Sequence, residues 1–353
     1  MFNTKRIIFI VIFIVSAISL IFVYNDDFLY SKQIIKITKI DTISKETSQN
    51  SLGLEEKYYT REITGIITNG KQKGKKKSVL YDESYSSVVT DKYKVNDKII
   101  LDSSGIELKR DFYLTLMIVV FLNLLYIVGS YKGLLSVLSV ILNLVIFYVG
   151  LFLYFKGINL LFLCVIEMII FSIISLILAS GFNKKTLSAI ISVIISTLVM
   201  LIIIVIIVNF TGYKGINFNE LSFLTVPIED IILPELLIGS TGAIMDVAIT
   251  ISSSISELIQ KDNNISVKNL KKSAREIGKD IMSTMSNVLF FTYLCSGLPI
   301  FVLALRNGFS MYNYISTNFT LELTRFLIGS IGIVLTIPVS AHTSIKLMKR
   351  GAK

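Results

Sequence analysis

The chain has 353 residues, 53% of them hydrophobic, with a formal net charge of +10 and one histidine. Its mean hydropathy of +0.69 and its apolar runs of about 20 residues exclude an ordinary soluble domain. A single histidine argues against a histidine-based metal site or catalytic triad. No zinc-finger or RNA-stacking motif is present, so nucleic acid is not expected as a partner. The composition therefore predicts an integral membrane protein.

The first apolar run, near residues 7–24, follows Lys5 and Arg6. No clear small-residue cleavage site follows it, which favours an uncleaved anchor at residues 1–25 over a cleaved signal peptide. Both alternatives place the next segment outside the membrane.

Residues 26–111 are polar, and their charges nearly balance. Stretches rich in β-branched residues recur there, at 33–40, 61–68, 78–81 and 98–101. Turn signals at Asn69–Gly70 and Asn96–Asp97 lie between them. This pattern predicts a small extracytoplasmic β-rich domain, a barrel or a sandwich, between transmembrane helices 1 and 2.

Residues 112–353 predict seven further spans. We place them near 112–129, 133–155, 158–180, 186–209, 231–257, 281–305 and 322–345. Basic residues concentrate at alternate connections, which places both termini in the cytoplasm and residues 26–111 outside. The predicted fold class is a membrane all-α bundle of about eight transmembrane helices with the small β-rich domain.

The span near 231–257 carries a line of polar and small residues, which we name the polar stripe. At about 100° per residue its members fall within roughly 40° of one direction: Glu235, Gly239, Gly242, Asp246, Thr250, Ser253 and Glu257. Such a stripe must face protein or water rather than lipid. It is either a close helix–helix seam or one side of a permeation or binding path. The path is favoured, because a seam does not require a central carboxylate.

Further candidates lie in three other spans. Asp280, Thr284 and Asn287 share one face of the next span. In the last span Glu322 and Arg325 are one helical turn apart, which predicts an ion pair. Glu167 stands alone in the middle of its span, so it needs a partner or a proton.

The connection at 266–281 repeats apolar residues at helical spacing among basic residues. This pattern predicts an amphipathic segment on the anionic membrane surface. The alternative is a basic helix that only anchors the orientation of its span.

Three blocks resemble the YibE/F-like family of bacterial multi-spanning membrane proteins. They are Gly239–Ile249 with Ser254–Leu258, Ala274–Met282 with Thr284–Asn287, and Glu322 and Arg325 with Gly329–Pro338. The resemblance covers about residues 110–345, and the external domain is similar only in layout. It implies a bacterial plasma-membrane location, and it implies no particular activity.

Motifs for metalloproteases, serine hydrolases and nucleotide binding are absent, so neither an enzyme nor a cofactor or metal site is expected. The leading hypothesis is a permease for a small solute or ion, with Asp246 as the central carboxylate and Thr250 and Asn287 as neutral ligands. The alternative is an accessory or scaffold protein whose β-rich domain binds an envelope protein. The lipid bilayer is the one certain partner, and the sequence leaves the oligomeric state open.

Overall fold

The computed structural model describes residues 2–349, except 50–52, 54, 86–90, 103–104, 215–226 and 228. Most of the connection predicted at 210–230 therefore lies outside the described residues. The chain divides into two compact units, Met1–Leu134 and Leu135–Lys353.

The first unit contains one antiparallel sheet. Its five strands are β1 (Gln33–Gln49), β2 (Glu55–Ile67), β3 (Lys76–Ser84), β4 (Lys98–Asp102) and β5 (Gly105–Leu108). Their order is β3-β2-β1-β4-β5. The β-rich prediction is confirmed, but the described residues form a single open sheet rather than a barrel or a sandwich, because no pairing joins β3 to β5.

One face of the sheet is an aliphatic core around Ile35, Ile63 and Ile99, each fully buried. Both predicted turns adopt left-handed backbone conformations, at Gly70 (φ 69°) and Asn96 (φ 77°). Asn69 also holds the start of β1, because its Oδ1 accepts a hydrogen bond from the Ile34 amide at 2.8 Å.

A buried ion-pair network lies beside the sheet, where helix α1 (Phe2–Asn25) ends and helix α2 (Asp111–Phe155) begins. The Lys109 ammonium contacts the carboxylates of Asp26, Asp27 (3.1 Å) and Asp111 (3.1 Å). Burial lowers the pKa of Lys109, but the three carboxylates outweigh this and raise it above its ordinary value.

Helix α2 contains two of the predicted spans, so the described residues hold seven helices long and apolar enough to cross a membrane, not eight. Ser130 interrupts α2 with non-helical angles (φ 49°, ψ −132°). A β-carbon at Gly133 would lie 2.5 Å from the Leu125 carbonyl oxygen, whereas eight residues of a straight helix span about 12 Å. The backbone therefore turns back locally at Ser130, and α2 is not one straight helix.

Among the described residues, the second unit begins within α2 and contains six further α-helices. They are α3 (Leu160–Ser180), α4 (Lys184–Thr211), α5 (Glu229–Lys261), α6 (Val267–Arg306), the short α7 (Met311–Tyr314) and α8 (Thr320–Lys349). Helix α8 packs against α4, α5 and α6. The basic segment predicted at 266–281 is the first part of α6, so it extends that helix rather than forming a separate surface helix.

Candidate functional site

Helix α5 has two unlike sides. Its buried side packs into the core through Leu237, Ile244 and Ala248, all fully buried, together with residues of α4 and α8. The polar stripe lies on the other side: Gly239, Gly242, Asp246, Thr250 and Glu257 are exposed, and Ser253 is partly buried. The stripe therefore does not pack into the α4–α5–α8 core.

Asp246 lies near the middle of α5 and is an exposed residue. None of the described residues donates a hydrogen bond to the Asp246 carboxylate or forms an ion pair with it. The next polar side chain along the stripe, the Thr250 hydroxyl, donates instead to the Asp246 backbone carbonyl at 2.7 Å. The Thr250 oxygen keeps lone pairs with which it can accept a hydrogen bond or coordinate a cation.

The glycines of the second unit show where helices approach closely. A β-carbon at Gly332 would lie 2.7 Å from Ile244, and one at Gly329 would lie 2.9 Å from Leu289. At Gly242, on the stripe, no described atom lies within 4 Å of that position. Close packing thus explains the glycines of α8 and leaves Gly242 facing open space.

One end of the stripe is neutralised by Arg325. Its guanidinium contacts Glu322 on the same helix, which confirms the predicted pair, and Glu235 on α5 at 2.5 Å. The contact to Glu235 was not predicted, because no local spacing relates α5 to α8. With both carboxylates held by Arg325, the acids further along the stripe, Asp246 and Glu257, form no ion pair with any described residue.

The polar residues of α6 do not join this cluster. Asp280, Thr284 and Asn287 are exposed, and the Thr284 hydroxyl donates to the Ile281 carbonyl at 3.0 Å. No hydrogen bond between these side chains and the stripe occurs in the part of the chain that the structure describes.

Glu167 on α3 is 5% exposed and lies against Gly150 of α2. A β-carbon at Gly150 would collide with the Glu167 carboxylate, so the glycine makes room for this side chain. Within the described ranges Glu167 has no hydrogen-bond partner. The prediction that this carboxyl group has a partner or carries a proton therefore stays a prediction.

A buried hydroxyl cluster joins α4, α5 and α8, and sequence reasoning missed it. The Ser344 hydroxyl lies 3.1 Å from that of Ser188 and 2.9 Å from that of Ser252. The signal was the four-residue spacing of Ser188, Ser192 and Ser196, which places them on one face of α4. The polar helix–helix seam is therefore here, on the opposite side of α5 from the stripe.

Comparison with known proteins identifies both parts of the chain. Residues 117–350 match the YibE/F-like protein family. Residues 28–115 match the N-terminal domain of the YibE/F family, although sequence reasoning found only a similar layout there. No curated protein and no solved structure matches.

Proposed function

Because the chain belongs to the YibE/F-like family and its helices can cross a membrane, we propose that it is a permease for a small solute or ion. The polar stripe of α5 forms one side of the path. Asp246 binds the substrate or exchanges a proton, and Thr250 supplies a neutral oxygen.

The exposed position of Asp246, which has no ion pair or hydrogen bond to any described residue, carries this proposal. An ionisable side chain at membrane depth costs several kcal/mol (about 2.5–3.5 on insertion scales) unless it meets water, a partner or a ligand. Arg325 forms ion pairs with Glu235 and Glu322, but no described residue forms one with Asp246. Water and substrate are the partners that a permeation path provides.

The stripe continues from Asp246 to Glu257, about 16 Å along the helix axis at 1.5 Å per residue. Glu257 is exposed, and it lies near the end of α5 that Lys261 terminates. We assign it the role of an exit residue, where the substrate leaves the path.

The orientation is part of the proposal: a plasma-membrane protein with both termini in the cytoplasm and the β-rich domain outside, as the positive-inside rule favours. Gln72 and Asn264 are both exposed. In a background with Cys164 and Cys295 replaced by serine, Gln72→Cys should react with an impermeant thiol reagent in intact cells. Asn264→Cys should react only after lysis, and its labelling in intact cells would contradict this topology.

The function is tested by Asp246→Asn, which keeps the size and hydrogen bonding of the side chain but removes its charge. We expect normal insertion and abundance, together with loss of complementation of a deletion strain and loss of uptake in ion and metabolite profiling. The matched control is Asp262→Asn, the same change at an exposed residue beyond the end of α5. Full complementation by Asp246→Asn would refute the proposed path.

The second candidate is the scaffold function, favoured by apolar side chains on the sheet. Leu80 is 60% exposed on β3 and Ile43 is 58% exposed on β1, and β3 is an edge strand that can pair with an added strand. This function predicts the reverse outcome: Ile43→Lys with Leu80→Lys abolishes complementation, and Asp246→Asn preserves it.

A further inference from the structure

A cavity of about 650 Å³ lies between α6 and α8, and no residue of the polar stripe lines it. Lys271, Arg275 and Lys279 line one side of it. They are four residues apart, so they lie on one face of α6 in successive turns. Three cationic side chains therefore border the same cavity.

The rest of the lining is mainly apolar. Met282 of α6 and Val334, Ile337 and Pro338 of α8 belong to it. Ile337 also contacts Gly278, where a β-carbon would collide with its side chain. This close approach brings the two helices together beside the cavity and fixes the distance between the basic and apolar linings.

The basic side chains are available to bind an anion. Lys271 and Arg275 are exposed, and neither forms an ion pair with any described residue. The Lys279 ammonium forms an ion pair with the Glu276 carboxylate at 2.9 Å. A phosphate would thus meet two unpaired cations and a third that is partly neutralised.

The arrangement of charge along the helices matches a membrane surface. The basic run of α6 ends at Lys279, and mainly apolar residues follow from Ile281 onwards. On α8, Val334 lies about 18 Å along the helix from Lys346, at 1.5 Å per residue. The cavity therefore extends from the part of the helices that carries basic side chains into the part that carries apolar side chains.

We propose that this cavity binds an anionic phospholipid, with its phosphate on Lys271 and Arg275 and an acyl chain against Val334 and Met282. Basic pockets between transmembrane helices recognise such headgroups. A free phosphate would use only the cationic side and would leave the apolar lining without a role. The site is separate from the polar stripe, and it does not depend on transport.

The test uses the full-length protein in detergent and measures binding of phosphatidylglycerol and phosphatidylcholine by native mass spectrometry. Wild type should prefer phosphatidylglycerol. Lys271→Gln/Arg275→Gln/Lys279→Gln should weaken phosphatidylglycerol binding by about tenfold or more. The control Lys261→Gln/Lys268→Gln/Lys272→Gln removes as many charges from the same exposed segment outside the cavity lining, and it should bind like wild type.

A second comparison separates a lipid from a bare anion. Val334 is 48% exposed, so Val334→Phe is accommodated without loss of folding but fills part of the apolar side. It should weaken phosphatidylglycerol binding, and inorganic phosphate at millimolar concentration should not displace the lipid. Equal weakening in both triple variants overturns the site. Displacement by phosphate with no effect of Val334→Phe overturns its assignment to a lipid.

Discussion

Replacing Lys109 with methionine should destabilise the N-terminal unit by about 3–5 kcal/mol, the usual cost of removing one partner from a buried ion pair. The Lys109 side chain is 2% exposed and contacts three carboxylates. Methionine fills a similar volume but, among the described residues, leaves Asp26 without an ion-pair partner and Asp27 with the Lys98 ammonium, 2.8 Å away. The uncompensated negative charge of these buried carboxylates is what destabilises the folded unit.

The pH dependence of this effect follows from the sign of the pKa shift. The folded protein raises the pKa of Lys109 above its ordinary value of 10.5. A raised lysine pKa means that the charged form is favoured in the folded state. Its contribution is therefore fully present below pH 10.5, and it is lost as the pH rises through the higher folded value.

Hydrogen–deuterium exchange of the β1 and β4 amides provides the measurement, since it reports the free energy of local opening. The matched control is Lys32→Met, which removes an exposed ion pair with Asp102 on the same sheet (side chains 47% and 27% exposed). Such a solvent-exposed pair contributes little to stability, because water and salt screen it. Equal effects of the two changes would show that the Lys109 network does not stabilise the unit.

The sequence predicted what depends on local composition and spacing. Apolar runs located every long helix, and alternating β-branched stretches located four of the five strands. The Glu322–Arg325 pair followed from the three-residue spacing on one helix. The polar stripe also followed from periodicity, because each of its members lies on α5.

Contacts between distant segments could not be predicted in this way. Lys109 meets Asp26 across 83 residues of chain, and nothing local to either residue indicates the other. Which side of α5 is buried depended on α4 and α8, so the sequence could not tell a seam from an accessible stripe.

Arg325→Met should be the most damaging single change in the second unit. Arg325 holds the carboxylates of Glu322 and Glu235, and the Glu322 side chain is only 8% exposed. Without the guanidinium, Glu322 is a buried charge with no cation, a loss that typically costs about 3–5 kcal/mol. We expect a lower thermal stability of the purified protein in detergent and less protein in the membrane.

A second substitution distinguishes lost charge balance from lost packing. Adding Glu322→Gln to Arg325→Met removes the uncompensated charge, so the double variant should recover much of the stability that the single variant loses. Arg306→Met, at an exposed residue where α6 ends, is the control and should melt like wild type. If the double variant is no more stable than Arg325→Met, the arginine acts through packing of its side chain.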